Sequence, residues 1–358
     1  MKWVKIPCHV FVRWLCQANL GAEYMKISIL LVMTSLLAVI PPMATAKQCV
    51  AVIAGGAGRN FWHAIDMGAK KAGDELGIDI FSRELKVEVD STGQSEMIHD
   101  AVKKQCNAFV IAPNSSERVK EITELNQRKI PIVIMDRELP SAAMKQLPTS
   151  DHIYAWVMTD NYQAGVQAAT EMGRLLNGRG LVAVLRLKKG IPSTDAREQG
   201  FIDTAKQAGL TVIDNIYLGT EIGEIRNNAA AFFFAQGDKI QGVFTPNENT
   251  SLGVLAELRR IKRAGKIVHI GFDYNDYLHD ALKQGYISGL MLQQPFEIGY
   301  RSVMQAQQAV QGVAGPTEPI HTGTMFLHRG NMNSAATKTF LELNTAYGEP
   351  TNNRHTNR

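Results

Sequence analysis

The sequence has 358 residues, a formal net charge of +4, 45% hydrophobic and 7% aromatic content, 30 glycines and four cysteines. With 20% charged residues beside that apolar content, it is neither a disordered chain, a collagen-like fibre nor a dense disulfide scaffold. The length suits two domains of ordinary size.

The only long apolar run, Ile27–Ile40, covers 14 residues, short of the roughly 20 that span a bilayer. Lys26 precedes it, and Ala44-Thr45-Ala46 after it is an A-x-A cleavage pattern. This predicts a signal peptide over 25–46 behind an upstream segment, and so an exported, periplasmic product; an uncleaved anchor is the alternative. Lys47 and Gln48 stand where a lipid-bearing Cys would be needed. Without residues 1–46 the chain has 312 residues and a net charge near +1, because Lys2, Lys5, Arg13 and Lys26 leave with Glu23. The basic excess therefore says nothing about nucleic acid.

From Cys49 onward short β-branched apolar runs alternate with stretches of helical spacing. The predicted strands are Cys49–Ala54, Phe109–Ala112, Ile130–Met135, Leu181–Leu185, Val243–Thr245 and Ile267–Phe272. The predicted helices are Trp62–Leu76, Met97–Cys106, Glu117–Gln127, Gln163–Leu176, Ala196–Ala208 and Ser251–Arg263. Near-continuous apolar strands between amphipathic helices indicate parallel sheets covered on both faces. Two successive runs of the pattern, before and after about Asp160, predict two similar doubly wound α/β lobes. Ligands of such folds sit outside the carboxyl ends of the strands, where this chain places polar, charged and aromatic residues.

Gly55-Gly56-Ala57-Gly58 follows a strand and opens a helix, but Phe61 occupies the last position of a dinucleotide fingerprint and no Gly-Lys-Ser/Thr follows. Nucleotide binding is rejected, and the glycines are assigned to backbone flexibility at a cleft mouth. Phe61 and Trp62 point about 100° apart on a helix, so one can enter the core while the other faces the cleft. An aromatic face beside charged side chains suits sugar rings, whose C–H faces stack while their hydroxyls hydrogen-bond. Asp136-Arg137, Arg197, Asn247 and Asp273 fall after strands or near a helix start and offer charge-assisted hydrogen bonds to neutral hydroxyls. No catalytic motif or metal-ligand spacing occurs among the nine histidines and the carboxylates, so neither enzyme activity nor a cofactor or metal is expected.

Cys49 and Cys106 are the thiols left after export, and each lies just before a predicted strand. If those strands are neighbours in a parallel sheet, the two sulfurs meet at its amino edge and form a structural disulfide; two separately buried thiols are the alternative.

Taken in order, Asn60-Phe61-Trp62, Ile132–Arg137, Thr159-Asp160-Asn161, Arg197–Phe201, Asn247-Glu248, Gly271-Phe272-Asp273 and Gln293-Gln294-Pro295 resemble the ribose-type periplasmic binding proteins. Their type I fold is shared with the ligand-binding half of LacI-type repressors. The resemblance runs over about Cys49 to Phe326 and implies two lobes joined by a three-strand hinge near Thr159-Asp160, Gln294-Pro295 and His321-Thr322. The implied division is 47–159 with 295–322 for the N-terminal lobe, 160–294 with 323–342 for the C-terminal lobe, and a polar tail over 343–358. The implied ligand shell is Phe61 and Trp62 for stacking, Asp136 and Arg137 from the first lobe, and Arg197, Asn247, Asp273 and Gln293 from the second. Two departures, Ala112 where an Asn or Asp is common and Ile222 where an aromatic is common, argue against ribose itself.

The implied function is capture of a small sugar or sugar-like ligand for the membrane permease of an ABC importer, by a monomer that binds no nucleic acid. The alternative is a sensory adaptor reporting a ligand such as autoinducer-2 or trimethylamine N-oxide to a histidine kinase or chemoreceptor.

Overall fold

The computed structural model describes residues 47–345 apart from 58–59, 84, 88–89 and 148–152. The predicted signal peptide, Cys8, Cys16 and most of the polar tail lie outside the described residues. Among those described, no helix is long and apolar enough to cross a membrane.

Two six-stranded sheets organise the chain. The first runs in the order β11-β5-β4-β3-β1-β2, from β1 (Cys49–Ile53), β2 (Asp79–Ser82), β3 (Ala108–Ile111), β4 (Ile132–Met135), β5 (Ile153–Thr159) and β11 (Ile320–Thr322). The second runs β12-β10-β9-β8-β6-β7, from β6 (Leu181–Arg186), β7 (Thr211–Tyr217), β8 (Gly242–Phe244), β9 (Val268–Phe272), β10 (Gly289–Leu292) and β12 (Met325–Leu327). All pairings are parallel except β10 with β12, so the second lobe closes on an antiparallel edge that the apolar pattern did not predict.

Alternating side chains explain the near-continuous apolar runs. Val50 and Val52 enter one core and Ala51 and Ile53 the other, on opposite faces of the first sheet; Val182 and Val184 oppose Ala183 and Leu185 in the second. The helices that cover these faces include α1 (Phe61–Leu76), α2 (Ser91–Lys103), α3 (Arg118–Gln127), α4 (Ser141–Met144), α5 (Asn161–Leu175), α6 (Pro192–Gln207), α7 (Ile222–Gln236), α8 (Glu248–Arg260), α9 (Asp276–Lys283), α10 (Pro295–Val310) and α11 (Ala335–Thr345). The chain passes between the sheets after Thr159, before α10, whose Ile298, Val303 and Ala306 pack on the first sheet, and between Thr322 and Met325.

In each lobe two helices touch backbone to backbone. A Cβ at Gly165 of α5 would stand 2.0 Å from the Arg197 carbonyl oxygen of α6, and one at Gly200 would stand 2.1 Å from that of Tyr162. Gly68 and Gly299 play the same parts between α1 and α10, each 2.0 Å from a carbonyl oxygen. The α5–α6 contact fixes the height at which Arg197 meets the second sheet.

The six predicted strands and six predicted helices are all present, with shifted ends. The helix expected over 97–106 begins at Ser91, because Asp90 caps it by accepting a hydrogen bond from the Gly93 amide. That expected from 251 begins at Glu248, behind a capping box of Asn247 and Thr250. Cys49 and Cys106 form a disulfide with their Cα atoms 4.4 Å apart, at the amino edge of the adjacent strands β1 and β3.

Candidate ligand-binding site

All eight residues expected to form the ligand shell line one cavity: Phe61, Trp62, Asp136, Arg137, Arg197, Asn247, Asp273 and Gln293. Every one follows the carboxyl end of a parallel strand or sits on the helix behind it. This convergence is a consequence of topology, since parallel strands send all their carboxyl ends to the same edge.

The two lobes build their carboxylates in the same way. Asp136 after β4 has φ 60° and Asp273 after β9 has φ 72°, left-handed geometry that Asp tolerates better than most residues. Asp136 N–H donates to the Val157 carbonyl at 2.9 Å and Asp273 N–H to that of Met291 at 2.9 Å. Each backbone is thereby tied to the next strand while its side chain enters the cavity.

Arg197 is the centre of the second lobe's network. Its Nε donates to Asn161 Oδ1 at 2.8 Å, Nη1 to the Pro246 carbonyl at 2.9 Å and Nη2 to Gln293 Oε1 at 3.0 Å. Its guanidinium lies 3.9 Å from the centre of the Phe272 ring. Gln293 Oε1 also accepts from the Thr159 hydroxyl at 2.8 Å, and Gln293 Nε2 donates to Asp273 Oδ1 at 2.5 Å. The last residue of β5 in the first sheet is thus bonded to a residue with which the second lobe lines the cavity. Burial pushes the Asp273 carboxyl up to about 6, with Arg197 opposing the rise.

In the first lobe Arg137 Nε donates to Asp136 Oδ2 at 3.0 Å, and its guanidinium stands 5.3 Å from the Trp62 ring centre. Trp62 is the aromatic that enters the core, packed among Ile65, Val110 and Met135; Phe61 is the more open, its ring edge-on to Trp62 at 5.2 Å. Gly55 corrects the sequence reading. A Cβ there would meet the Ala112 carbonyl oxygen at 2.7 Å and the Trp62 ring at 3.1 Å, so this glycine is needed for close approach to the Ala112 backbone beside the indole, a steric role in place of the expected flexibility. Gly58 lies outside the described residues.

Both departures from the ribose pattern are visible. Ala112 is fully buried with its carbonyl held by Gln94 Nε2 at 2.8 Å. Ile222 is exposed, and neither residue lines the cavity.

The lining also includes residues not assigned to the ligand shell from sequence, among them Leu187, Ile191, Ser193, Thr194 and Glu248. Leu187 follows β6 as the other shell residues follow their strands, a signal that strand-end reading could have used. Glu248 crosses the cleft: its Oε1 accepts from Asn60 Nδ2 at 2.9 Å and from Asn275 Nδ2 at 2.7 Å. Two arginines face two aspartates and one glutamate, so the cavity has near-balanced charge and many polar groups. That suits a neutral polyhydroxylated molecule better than an ion. Among the described residues no cluster of His, Cys, Asp and Glu could hold a metal ion.

Beneath the site, Glu198 is fully buried and receives a hydrogen bond from Arg186 Nε. Burial pushes its carboxyl up to about 7 against the pull of Arg186, so the folded state holds this proton to higher pH than the unfolded chain does. A raised carboxyl contributes stability in full below its unfolded value near 4.5, and that contribution is lost as pH rises through about 7. The loss amounts to roughly 3 kcal/mol. Asp273 acts in the same sense over a more acidic range. His269, which burial holds down to about 3, acts oppositely and costs stability as pH falls below the usual histidine value. Urea midpoints of Glu198→Gln should fall less steeply between about pH 5 and 7 than those of the unaltered protein; equal slopes would contradict this protonation.

The sequence matches the family described as "Periplasmic binding protein domain" over residues 50–314. It is 26% identical over 274 residues to the ribose import binding protein of Haemophilus influenzae, covering 75% of this chain and 88% of that protein. Among solved structures, the periplasmic component of an ABC-type sugar transport system from Hahella chejuensis superposes with a TM-score of 0.71 at 31% identity, over 79% of this chain and 100% of the other. A carbohydrate transporter solute-binding protein from Agrobacterium radiobacter in complex with D-arabinose gives a TM-score of 0.74 at 26% identity, over 83% and 99%.

Proposed function

We propose, on the premise that this chain belongs to the ribose-type sugar family of periplasmic binding proteins, that it captures a small neutral sugar between its lobes and delivers it to an ABC importer. The observation that supports this reading most is the meeting of Asp136 and Arg137 with Arg197, Asn247, Asp273 and Gln293 in one cavity. Two lobes that each supply half of a hydroxyl-binding shell favour closure around a ligand by hinge bending. We place the lobe boundaries at the three passages between sheets: 47–159 with 295–322, and 160–294 with 323–342.

Export by the 25–46 leader, a monomeric state and binding without chemistry belong to the same reading. Both import proteins and transport components stand among the similar proteins described above. The sensory alternative has no support among them and is not carried forward.

A thermal-shift series with monosaccharides and polyols tests the function. Ligand that binds only the native state raises the melting temperature by mass action, by the equivalent of about 2.7 kcal/mol at a hundredfold excess over Kd. At least one monosaccharide should raise it, and Asp136→Asn should remove most of the rise, because the amide cannot accept hydrogen bonds on both of its atoms. A shift with small amine oxides and none with any sugar would defeat the sugar reading.

A further inference from the structure

The cavity is polarised along the sheets. Asp136, Asp273 and Gln293 follow β4, β9 and β10, strands on the side of each sheet where the chain passes between lobes, and Asn247 follows the adjoining β8. The strands on the far side, β1 and β6, contribute Ala57, Leu187 and Ile191, with Phe61 behind β1 and Ser193, Thr194 and Arg197 on the helix behind β6; Arg197 sends its guanidinium across to Pro246 and Gln293. Leu187 belongs to the hydrophobic core of the second lobe, as does Ile191. The neighbouring Thr194 hydroxyl donates to the Ile191 carbonyl at 3.2 Å, so its proton is already used. One end of the cavity is therefore rich in charged partners, and the other is apolar apart from the hydroxyls of Ser193 and Thr194.

From this we infer that the ligand presents an unhydroxylated carbon, a deoxy or C-methyl position, to Leu187 and Ile191 while its hydroxyls face Asp136, Arg197 and Asp273. The inference rests on the sugar reading and narrows it. A hydroxyl placed against this wall would give up its hydrogen bonds to water with few partners in return, whereas a methyl group there removes apolar surface from water. A hydrophobic pocket of this kind discriminates against an added hydroxyl by up to about 100-fold.

Calorimetric titration of the purified protein with matched pairs tests this: D-fucose against D-galactose, L-rhamnose against L-mannose, 6-deoxy-D-glucose against D-glucose, and 5-deoxy-D-ribose against D-ribose. In whichever pair binds most tightly, the deoxy member should bind at least about 10-fold tighter than its parent. Ile191→Thr, which adds a hydroxyl to the wall at a helix N-cap where Thr is tolerated, should reduce that ratio. A parent sugar that binds as tightly as its deoxy partner, or a ratio unchanged in Ile191→Thr, overturns the inference and leaves the sugar reading standing. A series in which no sugar binds overturns both.

Discussion

Replacing Arg197 by Ala abolishes the sugar-induced rise in melting temperature and also lowers the stability of the unliganded protein by about 3–5 kcal/mol, the cost of removing one member of a buried charged network. Arg197 is 3% exposed, and three of its nitrogens hold Asn161, Pro246 and Gln293. Without it Asp273 stays buried with no cation opposite it, Gln293 Oε1 loses one of its donors, and the Phe272 face loses its cover. The variant therefore tests shell and scaffold together, and Asp136→Asn is the cleaner probe of binding. Arg197→Lys restores the charge but cannot bridge three partners from a planar fork, so it should recover little of either property. Urea unfolding and thermal shifts of the two variants check this. An Arg197→Ala protein as stable as the parent would contradict the network, and one that keeps the full thermal shift would remove Arg197 from the pocket.

Loss of the Cys49–Cys106 bond costs about 4 kcal/mol, the loop-closure value for the 57-residue separation it spans. The bond is locally reinforced: the Cys49 amide donates to Asn107 Oδ1 at 2.9 Å and the Asn107 amide to the Cys49 carbonyl at 2.7 Å. It closes the amino edge of β1 and β3, whereas the cavity-lining residues gather at the carboxyl edge. Affinity for sugar should thus change little in Cys49→Ser/Cys106→Ser while the urea midpoint drops. Equal midpoints with and without reductant would refute the stabilisation, and two titratable thiols in the unreduced, denatured mature protein would refute the bond itself.

Most of the pattern of recognised and missed strands has a physical reason. β1, β3, β4, β6, β8 and β9 lie inside the sheets with both faces covered, so their sequences are short apolar runs that stand out; β5, with IYAWVMT, is also an inner strand and was missed although its run is as apolar. β2, with the sequence DIFS, and β7, with TVIDNIY, are outer strands with half-exposed side chains, and their mixed composition does not separate them from loops. β10 is buried, but its four residues GLML begin with a glycine and carry no β-branched side chain.

The chain by itself determined the alternating α/β plan and the meeting of Cys49 with Cys106 once their strands were neighbours, which follow from local spacing and strand order. The eight residues that line one cavity were legible as one set only through the family resemblance, helped by the rule that parallel strands end at a common edge. Only the tertiary structure decided that Trp62 turns into the core under Arg137, that Gln293 joins Thr159 to Arg197 and Asp273, that Glu248 reaches Asn60 across the cleft, and that Leu187 and Ile191 wall one end of the cavity. Those are relations between side chains far apart in sequence, set by which strands pair and how closely Gly165 and Gly200 let two helices approach. Local periodicity contains no record of such distances.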